Sequence, residues 1–141
     1  MTESSSPGMV AIDTNVLLRH LLNDDPEQTR RARACLGATA QVLITDVVLC
    51  ETLWTLAGKR YRLSRDQLAR VVLALLEEPA FCFEDEQVVW AAYCDFVDQT
   101  GFGLPDALIA RKAESLGAEP LYSFDRAALR IAGVEAPPPS Q

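Results

Sequence analysis

Met9-Val10-Ala11-Ile12-Asp13-Thr14-Asn15-Val16-Leu17-Leu18 decides the fold of this chain. Four apolar residues in a row read as a short buried strand, and the apolar spacing after Asn15 reads as a helix running to Leu22. The change of period falls at Asp13, a residue type whose carboxylate accepts hydrogen bonds from the first amides of a helix. A strand that turns directly into a helix opens an α/β pattern, and the rest of the chain repeats it.

Further strands are expected over 41–44, 81–83 and 121–124, with Val134 opening a fifth at an edge. Between them the sequence predicts a helix over 26–36 with Pro26 in its first turn, and one over 47–57 capped by Thr45-Asp46 and stopped by Gly58. Helices over 65–78, capped by Ser64, and over 85–98 come next. The last two are 105–116, closed by Gly117, and a short one from Asp125 to near Gly133. Strands alternating with helices predict a three-layer α/β/α sandwich around a central parallel sheet of four to five strands. The expected layout is one domain over 9–135, with a disordered start, 1–8, and a mobile proline-rich tail, 136–141.

Composition narrows the function classes. Apolar residues are 49% and charged ones 23% of 141, the balance of a globular protein. The longest apolar run, Val71 to Leu76, is far too short to span a bilayer. The polar start, with Glu3 and no basic-then-apolar signal, predicts a cytoplasmic location. Cys35, Cys50, Cys82 and Cys94 are widely spaced, as reduced thiols are, and one histidine with no C-x-x-C pair argues against zinc. A net charge of −7 excludes a protein that grips nucleic acid mainly through a basic surface. Two local basic clusters stand out, Arg30, Arg31 and Arg33, then Lys59, Arg60, Arg62 and Arg65. Solvated faces explain both without any function.

Asp13, Glu51, Asp106 and Asp125 sit where the chain leaves a strand or opens a helix. In a parallel sheet those junctions gather at the carboxyl ends of the strands, where open α/β proteins bind ligands. Four acids collected there repel one another unless a cation intervenes, and a hard divalent metal is the natural one. Each aspartate also has a plainer reading. Asp13 and Asp125 suit helix caps, and Asp106 suits a helix dipole. Glu51 does not, because its helical neighbours Val47, Val48 and Trp54 are apolar, so it is expected to point into an apolar wall and to need a partner there. Thr14, Asn15 and Ser123 are placed either to hydrogen-bond the carboxylates or a metal-bound water, or simply to cap turns.

The stretches Ala11 to Leu17, Glu51, Pro105-Asp106-Ala107-Leu108-Ile109-Ala110 and Ser123-Phe124-Asp125, in that order, resemble the PIN-domain family, and more narrowly VapC-type ribonuclease toxins of toxin–antitoxin pairs. The resemblance runs from Met9 to Val134. It implies an α/β/α sandwich, an endoribonuclease dependent on Mg2+ or Mn2+, a homodimer, RNA as substrate and inhibition by a cognate antitoxin. By position it implies Asp13, Glu51, Asp106 and Asp125 as catalytic metal ligands, with Asn15 and Ser123 as polar companions. The chain departs from the pattern before Asp106, where Gly103-Leu104 stands in place of a further Asp-Phe.

Hydrolysing a phosphodiester requires an activated water and a way to offset charge on the phosphate, and metal ions held by carboxylates supply both. Two other readings compete. A haloacid-dehalogenase-like phosphatase would use an aspartate after the first strand as nucleophile and want another two positions on, where this chain has Asn15. A non-enzymatic PIN-like binding module would keep the acids as structural caps. A homodimer is also expected from the apolar surface of the helices over 47–57 and 68–76.

Overall fold

The computed structural model describes residues 8–37 and 41–140. The expected disordered start lies outside them apart from Gly8. In chain order the elements are β1 (Met9–Ala11), α1 (Thr14–Leu21), α2 (Pro26–Gly37), β2 (Gln41–Ile44), α3 (Asp46–Ala57), α4 (Arg65–Glu77), β3 (Phe81–Phe83), α5 (Glu86–Asp98), α6 (Leu104–Ser115), β4 (Leu121–Tyr122) and β5 (Val134–Glu135), with a 3-10 turn at Ala128–Arg130.

The predicted caps form. Asp13, Thr45, Ser64 and Asp85 each accept a hydrogen bond from a first-turn amide of α1, α3, α4 and α5. Ser64 and Gln67 complete a reciprocal capping box, which satisfies two amides that the helix itself leaves free.

All strand pairs are parallel, as the alternation requires. The strands do not join one sheet. Among the described residues β1-β2-β3 form one sheet and β4-β5 a second, where a single sheet of four to five strands was expected. Residues 121–124 were expected as a full strand, but only Leu121 and Tyr122 pair, because the chain turns at Ser123, whose hydroxyl accepts from the Asp125 amide at 3.0 Å. The last helix shrinks likewise to one 3-10 turn.

The core holds the sheet and helices together. Val42 and Ile44 of β2, Leu17 of α1, Leu49, Leu53 and Leu56 of α3, and Val89 and Ala92 of α5 are buried with Leu104, Ala107 and Leu108 of α6. Burying one such side chain contributes about 1.5–3 kcal/mol. Arg65 ties the far end of α5 to the loop before α6. Its guanidinium donates to the carbonyls of Phe96 at 2.7 Å, Gln99 at 2.8 Å and Phe102, and stacks 4.0 Å from the Phe96 ring centroid. Arg65 therefore leaves the solvated cluster in which the sequence placed it. By closing the end of α5 it fixes the chain that enters α6 and carries Asp106.

Candidate functional site

β1 and β2 run parallel, so their carboxyl ends deliver Asp13 and the start of α3 to one edge of the sheet. Asp13 Oδ1 accepts from the Val16 amide at 3.0 Å. The next residue, Thr14, donates its hydroxyl to Glu51 Oε1 at 2.7 Å, joining α1 to α3. Asp106 Oδ2 accepts from the Gly103 amide at 3.2 Å, and Asp125 Oδ1 from the Ala127 amide at 2.9 Å. Asn15 is exposed beside Asp13.

Glu51 is exposed, which corrects the expectation that it points into an apolar wall. The buried stripe of α3 is Leu49, Thr52, Leu53 and Leu56. Glu51 lies on the other side, between Val47 and Trp54, which are themselves 66% and 58% exposed. Of the apolar neighbours read from the sequence, Val47 and Trp54 look outward and Val48 is partly buried against the core.

Asp106 and Asp46 both act on the Cys50 thiol, which burial first and then these two carboxylates push up to about 11. α6, which carries Asp106, packs on α3, which carries Cys50 and Glu51. Asp106 also lines a groove with Trp54 and with Ala127, two residues beyond Asp125. Thr14 links the start of α1 to Glu51, and so to the α3 that packs on α6. The four acids do not close into a cluster: among the described residues no three His, Cys, Asp or Glu side chains stand near enough to hold a metal ion. Asp13, Asp106 and Asp125 each spend one oxygen on a backbone amide. Asp13 caps α1 as its plainer reading required, whereas Asp125 closes a turn and caps no helix, since the 3-10 turn starts after Ala127.

The donor set still fits a hard divalent cation in kind. All four are oxygen donors, and the second oxygen of Asp13, of Asp106 and of Asp125 has no hydrogen bond among the described residues.

An ion-pair network beside the site was not expected. Lys112 of α6 lies 3.0 Å from Asp46 and 3.5 Å from Glu84, and Glu84 also accepts from the Asp46 amide at 2.7 Å. Glu84 directly follows β3 as Asp13 nearly follows β1, so the rule that singled out Asp13 could have found it. Lys112 carried no such signal, since only tertiary packing brings it there.

The model of the PIN domain family matches residues 10–134. The chain belongs to the PIN-domain family. The α/β architecture with parallel strands is the one that membership implies. Among solved structures the chain is similar to the VapC20 toxin of Mycobacterium tuberculosis, described as cleaving the sarcin–ricin loop. The two are 18% identical with a TM-score of 0.40, over 93% of this chain and 100% of that one. No curated protein matches the chain. No described helix is long and apolar enough to cross a membrane.

Proposed function

We propose that this PIN-domain chain is a divalent-metal-dependent endoribonuclease, the cytoplasmic toxin of a type II toxin–antitoxin pair. Family membership supports a nuclease. The observation that carries the rest is that Thr14, next to Asp13, donates its hydroxyl to Glu51 and so joins the start of α1 to α3 at one edge of the sheet, with α6, which carries Asp106, packed on α3. Asp13, Glu51, Asp106 and Asp125 would hold Mg2+ or Mn2+. Bound there, the ion would supply an activated water and offset charge on the phosphate.

The chain's own groups have separate tasks. Thr14 holds Glu51 toward α1, and Ser123 fixes the turn that carries Asp125. Asn15, exposed next to Asp13, is placed to hydrogen-bond a ribose or phosphate oxygen. The exposed Val47 and Trp54 of α3 suit a homodimer contact or the antitoxin. The expected contribution of α4 is smaller than the sequence suggested, because Val72, Leu75 and Leu76 are buried inside the chain.

Expression of the chain alone in a bacterial host tests the toxin reading. Growth arrest by wild type, relieved in Asp106→Asn and by co-expression of the cognate antitoxin, supports it. Harmless accumulation of folded wild-type protein contradicts it.

A further inference from the structure

A groove between α1 and α2 is lined by Asp13 and Asn15 and by Arg19, Gln28 and Arg31. The two arginines differ in one respect. Arg19 is nearly enclosed, with 12% of its side chain exposed, and meets Asp24 at 2.7 Å, so its charge is already balanced. Arg31 is exposed and has no carboxylate within ion-pair distance among the described residues. The basic cluster read from the sequence thus resolves into three different jobs. Arg30 pairs with Glu27, Arg33 lies close enough to His20 to lower its proton affinity, and Arg31 is the member of the cluster that lines the groove.

Other bases among the described residues, Arg70 among them, also lack an ion pair, and Arg31 differs from Arg70 in lining this groove, in a chain of net charge −7. The groove is lined by Arg31 together with Asp13, an acid of the proposed nuclease site, and carries two side-chain amides, Asn15 and Gln28. A guanidinium presents donors in a fork matched to phosphate oxygens, while side-chain amides both donate and accept, as ribose hydroxyls and base edges require. The combination suits a polyanion with polar groups between its charges.

We propose that the α1–α2 groove is the path by which single-stranded RNA leaves the acidic site, with Arg31 binding a phosphate that flanks the bond to be cut and Gln28 contacting the adjoining ribose or base. The proposal rests on the nuclease reading above. It explains how a strongly acidic protein holds RNA: one placed cation and a metal site replace a broad basic surface.

The test measures binding of a fluorescent single-stranded RNA by anisotropy in an Asp106→Asn background, where the RNA stays intact, across a series of salt concentrations. Arg31→Ala is expected to weaken binding about tenfold, as loss of one charge-assisted hydrogen-bonded contact does. The slope of log affinity against log salt should fall by about 0.7, one released counterion on a single strand. Arg70→Ala is the charge-matched control. Arg70 is exposed on α4, which packs on α3, α5 and β3, and removing it should leave affinity and slope unchanged. In the otherwise wild-type enzyme Arg31→Ala should raise KM and leave kcat within about twofold. Equal losses in the Arg31 and Arg70 variants, or an unchanged slope in Arg31→Ala, overturn the groove assignment while leaving cleavage by wild type intact. Failure of wild type to cut any RNA sinks the nuclease reading itself. Preferential binding of poly-glutamate over RNA, lost in Arg31→Ala, would also overturn it, by giving the groove to an acidic peptide.

Discussion

The hydroxyl of Thr14 donates to Glu51 Oε1 at 2.7 Å, the one direct side-chain contact between residues expected at the site. It crosses from α1 to α3 and sets where an otherwise exposed glutamate points. Because both groups face solvent, the bond contributes little to folding, at most about 1 kcal/mol. Its consequence is positional. Thr14→Val should leave the melting temperature within a few degrees while lowering RNA cleavage about tenfold, and Thr14→Ser should restore most of it. Equal rates in Thr14→Val and wild type would show that the contact is idle.

Arg65 makes a stability prediction. Removing its guanidinium strands the carbonyls of Phe96, Gln99 and Phe102 and removes the stacking on Phe96. Arg65→Ala should cost about 2–4 kcal/mol in denaturant unfolding. Lysine cannot reach three carbonyls with one planar fork, so Arg65→Lys should recover less than half of the loss. A loss below about 0.5 kcal/mol would place Arg65 back among ordinary surface charges.

The single histidine isolates a pH effect. The His20 ring meets Phe81 edge-on at 5.5 Å, and its Nδ1 is buried with no partner. Burial holds its pKa below the ordinary value, Arg33 lowers it further, and Glu78 opposes them. The unfolded chain therefore binds the proton more readily than the folded one. Stability is fully present above the unfolded pKa of about 6.5 and is lost as pH falls through the lower folded value. Denaturant midpoints should drop between about pH 7 and about pH 5.5, and the drop should be absent in His20→Leu. A flat wild-type profile over that range contradicts the buried neutral form.

Asp13 has two tasks that separate by substitution. As the cap of α1 its loss in Asp13→Ala should cost about 1 kcal/mol, while Asp13→Asn keeps the cap and most of the stability. Both variants should lose cleavage by at least about 100-fold, the scale for removing a main charge-stabilising element. Activity surviving in Asp13→Asn would reduce Asp13 to a cap.

Element identity was largely legible because local chemistry sets it. Asp13, Thr45, Ser64 and Asp85 cap helices through their own side chains, and 41–44 and 81–83 form strands with the expected bounds. Sheet closure was not legible, since whether β4 joins β1 depends on how a two-residue strand is delivered by the turn at Ser123. The acids were legible as types at junctions: Asp13 caps α1, Asp106 accepts from the amide that opens α6, and Asp125 closes a turn where a helix was expected. The facing of Glu51 was misread because a helix with apolar residues on both sides does not announce which side is buried. Val47 and Trp54 look outward while Leu49 and Leu53 look inward. Arg31 and Arg65 were visible only as members of basic clusters, and their different roles arise from contacts distant in sequence.

Glu51 offers the most direct test of the metal-dependent nuclease, because it caps no helix and its loss leaves the fold's own hydrogen bonds in place apart from the one from Thr14. The measurement is the cleavage rate of single-stranded RNA by wild type and Glu51→Gln, purified identically, with Mg2+ or Mn2+ and with chelator. The account predicts cutting by wild type that requires metal and vanishes in chelator, and a fall of at least about 100-fold in Glu51→Gln with an unchanged melting temperature. Cleavage that persists in chelator, or equal rates in the two proteins, would contradict it.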